Sequence, residues 1–158
     1  MKKILATILA LVLAIGVATM AWATETAAEK VAKVGETEYA TLQEAVNAAD
    51  GKTVQLLQDV TASITIESGK TVTLDLNGKT LTNEDGQHTI TNNGTLTIVD
   101  TSAAKSGTVD NVTHAKGAIV NYGVTVLNGG TFERSQEKGT YSPYGNGGNS
   151  WYTIANYG

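Results

Sequence analysis

The sequence predicts an all-β chain wound into a parallel β-helix, a solenoid of about four coils with three short strands in each. Three observations predict it. Ile90, Asn92 and Gly94 recur at the same offsets as Ile119, Asn121 and Gly123, and again as Ile154, Asn156 and Gly158. With Gly69 closing a weaker copy, the glycines stand 25, 29 and 35 residues apart, a period typical of solenoids. Second, short apolar/polar alternations follow these glycines, the period-2 pattern of a strand with one buried face. Third, threonine is the commonest residue at 24 positions and glycine outnumbers proline 17 to 1, so β-branched strand residues and flexible turns dominate.

Each repeat divides into three strands. The first set is Val54-Gln55-Leu56, Val72-Thr73-Leu74, Leu96-Thr97-Ile98 and Val124-Thr125-Val126, with the aliphatic residues expected inward and threonine outward in three of the four. The second is a glycine followed closely by threonine and a large apolar residue: Gly78 to Leu81, Gly107-Thr108-Val109 and Gly130-Thr131-Phe132. The Ile-x-Asn-x-Gly element is the third. Stacking such coils in parallel aligns the inward Val, Leu and Ile into columns that share one core, which no single coil could bury alone.

Asn92, Asn121 and Asn156 fall at one turn position in successive coils, so their amides are expected to bond to one another as a structural ladder. Tyr122 and Tyr157, each one residue later, are expected to stack.

Along its length the chain reads as four parts. Residues 1 to 23 have the form of a secretory signal peptide: Lys2 and Lys3, an uncharged apolar run from Ile4 to Met20, then Ala21-Trp22-Ala23 as a small-x-small cleavage pattern. Residues 24 to 33 read as a linker. Residues 34 to 51 are expected to hold a first strand, Val34 to Tyr39, and a helix opened by the capping box Thr41-Leu42-Gln43-Glu44 and closed at Gly51. Leu42, Ala45, Val46 and Ala49 share one helical face, suited to covering the first coil. Residues 52 to 158 are the coils. Gly158 stands where earlier copies run into another strand, so the C-terminal end is expected to be uncapped, with further coils of the same chain covering the open edge.

Composition narrows the function classes. Loss of Lys2 and Lys3 with the signal peptide takes the formal net charge from −4 to −6, which disfavours nucleic acid or an anionic membrane as partner. With no cysteine, the exported domain is stabilised without disulfides. No catalytic signature is present. Arg134, the sole arginine, reads as a solvated loop charge; His88 and His114 could approach each other but lack a third ligand, and no cofactor or metal is expected. Asn93-Gly94-Thr95 and Asn111-Val112-Thr113 match the glycosylation acceptor pattern, a short motif expected by chance.

The segment Glu133 to Ser150 departs most from the repeat, and long loops on a rigid scaffold tend to carry binding residues. Tyr141, Tyr144, Trp151 and Tyr152 cluster in or beside it as ligand-binding candidates, with Asn146 and Asn149 as amide partners. Flat aromatic faces stack on sugar rings, so a glycan is the expected ligand; the competing reading packs these rings against the coil.

The stretch from Val34 to Val46, followed by threonine-rich coils carrying Leu76-Asn77-Gly78, Asn121-Tyr122-Gly123 and Asn128-Gly129-Gly130-Thr131-Phe132, resembles the N-terminal part of secreted right-handed β-helix proteins of the pectin-lyase-like superfamily. It is most similar to the repetitive, adhesin-like surface members of gut Gram-positive bacteria. The resemblance spans about residues 34 to 158 and implies a secreted or wall-associated module, with host or cell-wall polysaccharide as partner and no membrane contact after cleavage. Enzymes share this fold, and a lyase, a hydrolase or a passive stalk remain alternatives.

Overall fold

A computed structural model describes residues 28–84, 86–113, 115–135 and 152–158. The signal peptide expected over residues 1 to 23 lies outside the described residues. Four coils of three strands each are stacked: β3 (Lys52–Leu56), β4 (Val60–Thr61) and β5 (Ile64–Ile66); β6 (Thr71–Asp75), β7 (Thr80–Thr82) and β8 (Ile90–Asn92); β9 (Thr95–Val99), β10 (Thr108–Asp110) and β11 (Ile119–Asn121); β12 (Val124–Leu127), β13 (Thr131–Glu133) and β14 (Ile154–Asn156). Equivalent strands pair in parallel, giving one sheet per side of the coil: β3-β6-β9-β12, β4-β7-β10-β13 and β5-β8-β11-β14. The architecture is all-β and solenoid-like, as the repeat predicts.

Register explains the residue choice. Val54, Leu74, Ile98 and Leu127 align on the first side, and Ile64, Ile90, Ile119 and Ile154 on the third. Val60, Leu81, Val109 and Phe132 align on the second. These columns meet in one core in which Val54, Leu74, Leu81, Ile90, Ile98, Val109 and Ile119 are all buried.

The last coil corrects one expectation. Thr125, not Val124 or Val126, is in register with the inward Leu96, while Val124 and Val126 pair with the outward Thr95 and Thr97 and stay exposed. The turn decides this. A Cβ on Gly123 would lie 2.1 Å from the Gly94 carbonyl oxygen, so the two turns are locked backbone to backbone. The residue two positions after each glycine must then face the same way.

The N-terminal region also differs from a single strand over Val34 to Tyr39. Gly35 adopts φ +58°, a left-handed turn that splits the segment into an antiparallel hairpin of β1 (Ala32–Val34) and β2 (Thr37–Tyr39). β1 begins inside the stretch expected to be linker and pairs antiparallel with β3, covering that sheet's edge. Helix α1 (Leu42–Ala48) follows. Thr41 Oγ1 accepts from the Glu44 N–H at 3.3 Å and lies 2.8 Å from Glu44 Oε2, forming the start signal. Leu42, Ala45 and Val46 are buried against the first coil. Gln43 closes the edge of β5: its Nε2 donates to the Thr65 carbonyl at 3.0 Å while its Oε1 accepts from the Thr65 N–H at 2.8 Å. One side-chain amide thus supplies the two bonds that a neighbouring strand would make.

Candidate functional site

The third side of the coil carries the amide ladder. Asn92 Nδ2 donates to Asn121 Oδ1 at 2.7 Å, and Asn121 Nδ2 donates to Asn156 Oδ1 at 2.6 Å. Asn92 Oδ1 and Asn121 Oδ1 also serve their own turns, accepting from Gly94 N–H at 3.1 Å and from Gly123 N–H at 3.3 Å. Thr125 joins the ladder, because its inward hydroxyl donates to Asn121 Oδ1 at 2.8 Å and accepts from Asn92 Nδ2 at 2.9 Å. A valine there would leave Asn92 Nδ2 with one fewer acceptor in a buried site. The ladder starts at Asn92 because the preceding coil places Ile66 in that register.

Directly outside the ladder, Tyr122 and Tyr157 stack with ring centroids 5.4 Å apart and planes inclined by 18°. Both remain exposed, at 55% and 68%. Above them, Tyr152, Ile154, Ala155, Asn156 and Tyr157 line a cavity of about 310 Å³, within the range of small-ligand sites. Tyr152 is 62% exposed. Asn156 is the third rung described, and its Nδ2 lies 3.4 Å from the Gly158 carbonyl oxygen. The lining therefore combines two tyrosines, two aliphatic residues and an asparagine.

Of the expected ligand-binding residues, Tyr152 lies in this cavity; Tyr141, Tyr144 and Trp151 lie outside the described residues, as do Asn146 and Asn149. Tyr157 and Asn156, read in the sequence as a stacking partner and a ladder rung, line the same cavity. Their offset from the glycine was the available signal.

Sequence reading missed a second polar system at the corners leaving the first and second sides. Asp75 Oδ1 accepts from the N–H groups of Asn77 and Thr101, at 3.0 and 2.9 Å, and Oδ2 accepts from Gln55 Nε2 and the Thr101 hydroxyl, at 2.8 and 2.6 Å. Asp100 accepts from the N–H groups of Gly78, Ser102 and Gly107 at 2.9, 3.1 and 2.6 Å. Burial alone would push both carboxyls up, but the converging donors outweigh it and hold both below the ordinary carboxylate value. Every oxygen is occupied by the protein's own turns, so these carboxylates fix corners. Asn83 and Asn111 do the same one side later: Asn83 Oδ1 accepts from Val112 N–H at 2.7 Å, and buried Asn111 Nδ2 donates to Gln87 O, Thr89 Oγ1 and Gly117 O at 3.0 to 3.1 Å. Asn111, one of the two glycosylation-pattern asparagines, has its amide nitrogen fully committed.

Arg134 stands one coil above Asn111 in the same position. Contrary to a solvated loop charge, it is half-buried and its Nε donates to the Lys116 carbonyl at 2.8 Å. His88 Nδ1 accepts from Gly117 N–H at 2.9 Å. Burial, then the positive charges of Lys116 and Arg134, lower its pKa, and accepting a backbone N–H suits the neutral ring. His114 lies outside the described residues. Among the described residues, no three His, Cys, Asp or Glu side chains are grouped to hold a metal ion.

Comparison with protein-family models, curated proteins and solved structures returned no match. The coil geometry and the aromatic cavity carry the functional reading.

Proposed function

We propose that this chain is a non-catalytic, exported or cell-surface module of right-handed parallel β-helix architecture, related in design to the pectin-lyase-like superfamily, that binds glycans in an adhesin-like role. The right hand follows from strand twist, which makes parallel crossovers right-handed in nearly all sheets. The observation that carries the ligand class is the cavity lined by Tyr152, Tyr157 and Asn156. Aromatic rings offer apolar faces to the C–H face of a sugar, and an amide donor meets its hydroxyls; neither demands charge. Tyr122 backs Tyr157 and holds its ring in place. In this reading the polymer is a host or cell-wall polysaccharide.

The test is a glycan microarray read with the wild-type chain, Tyr157→Ala and Tyr152→Ala. Selective binding to one glycan class, lost in both variants while far-UV circular dichroism is unchanged, supports the proposal. Absence of binding to any array glycan, or binding that survives both substitutions, overturns it.

A further inference from the structure

We propose that the Asn128–Gly129 peptide is a self-modification site, at which the folded protein converts asparagine to aspartate or isoaspartate without an enzyme. The chemistry needs water alone. The deprotonated Gly129 backbone nitrogen attacks Asn128 Cγ, a new N–Cγ bond forms, and the Cγ–Nδ2 bond breaks. Nδ2 leaves as ammonia, carrying the proton removed from the glycine nitrogen. Water then opens the cyclic imide at either carbonyl, leaving aspartate, or isoaspartate with the main chain rerouted through Cβ. Asparagine followed by glycine is the favoured sequence because no side chain hinders the attacking nitrogen, and it is among the thermally labile groups of proteins.

Three Asn-Gly pairs are described, and the fold treats them differently. At Asn77–Gly78 the would-be nucleophile donates to Asp100 Oδ1 at 2.9 Å and the Asn77 amide donates to the Leu56 carbonyl at 2.9 Å, so both reacting groups are held. At Asn93–Gly94 the glycine N–H donates to Asn92 Oδ1 at 3.1 Å. Asn128 differs. Its side chain is exposed, its own N–H is anchored to the Ile98 carbonyl at 2.8 Å, and it leads into two consecutive glycines, the second at φ +88°. The amide is accessible, and among the described residues no acceptor holds the attacking Gly129 N–H.

The product would not be silent. The Gly129–Gly130 turn lies tight on the coil below, since Cβ atoms there would meet Asp100 N at 2.9 Å and Leu76 Cδ1 at 2.6 Å. Isoaspartate lengthens the main chain just before β13, whose entry is fixed by the Thr131 N–H to Gly107 carbonyl bond of 2.8 Å. The conversion therefore loosens the second side of the fourth coil.

The experiment is incubation of the intact chain at mildly alkaline pH, followed by peptide mapping by mass spectrometry, with a parallel sample in concentrated urea. The expected result is conversion at Asn128 several-fold faster than at Asn77 and Asn93 in the folded chain, with that preference collapsing in urea. An Asn128→Ser variant should lose the early product and keep its β13 hydrogen-exchange protection during incubation. Equal rates at the three sites in the folded chain, faster reaction at Asn93 or Asn77, or a preference for Asn128 that persists unchanged in urea would overturn the proposal.

Discussion

Replacing Asn121 by alanine cuts the amide ladder at its middle rung. The side chain makes five hydrogen bonds: it donates to Gly123 O at 2.8 Å and Asn156 Oδ1 at 2.6 Å, and accepts from Asn92 Nδ2, Gly123 N and Thr125 Oγ1 at 2.7, 3.3 and 2.8 Å. Not all of these are lost in full. The Asn156 end is exposed and rehydrates, and Asn92 Nδ2 keeps Val124 O and Thr125 Oγ1 as acceptors. The remaining bonds serve the partly buried Gly123 turn and the Thr125 hydroxyl. At about 1 kcal/mol per bond, with an added penalty for a buried group left unpaired, the cost is about 2 to 4 kcal/mol. Asn156→Ala, at the exposed end, removes one short bond and one long one and should cost under about 1 kcal/mol. Urea unfolding monitored by circular dichroism separates the two. With a slope of about 2 kcal/mol per molar, Asn121→Ala should lower the midpoint by about 1 to 2 M, and Asn156→Ala by under about 0.5 M. Equal shifts for the two variants would refute the reasoning, because the ladder would then not depend on burial.

Two further outcomes follow from the turns and corners. Asp75 and Asp100 have folded-state pKa values below their unfolded ones, so their stabilisation is fully present above the unfolded carboxylate value and is lost as pH falls through the folded values. The urea midpoint should therefore drop on acidification through the carboxylate range, and Asp100→Asn should flatten that drop; a midpoint that rises on acidification contradicts this. Gly123→Ala forces a Cβ onto the Gly94 carbonyl and should cost about 3 kcal/mol or more, whereas Gly86→Ala meets open space and suffers only its left-handed backbone, about 1 kcal/mol. Thermal unfolding of both variants checks the ranking.

The layered architecture was legible because each coil repeats the same chemistry at the same offset. Ile90, Ile119 and Ile154 could be placed in one column, and Asn92, Asn121 and Asn156 in another, by counting back from a glycine. Hydrophobic alternation points Val124 and Val126 inward, but the determinant is the contact of Gly123 with Gly94, which sets strand parity regardless of side-chain polarity and turns Thr125 inward. Asp75 and Asp100 were invisible for another reason. They stand three residues before Gly78 and seven before Gly107, so unequal loops hide their common task. Arg134 was obscured because the position it occupies holds asparagine in the two preceding coils, at Asn83 and Asn111. The cavity was legible only in part: Tyr152 stood among the candidate ligand-binding residues, while Tyr157, just past β14, reads in the sequence only as a stacking partner.

In-register stacking of equivalent residues underlies every part of this account, and paired cysteines test it directly. The chain has no native cysteine, so introduced pairs report without competition. Thr97 faces Val126 across the β9–β12 pair, and parallel neighbours about 4.8 Å apart fall within the Cα separation of about 4.4 to 6.8 Å that a disulfide spans. Under mild oxidation, Thr97→Cys with Val126→Cys should cross-link efficiently, while Thr97→Cys with Thr125→Cys, whose side chains point to opposite faces, should not. Efficient cross-linking of the Thr97–Thr125 pair with failure of Thr97–Val126 would contradict the register and the inward threonine on which the ladder depends.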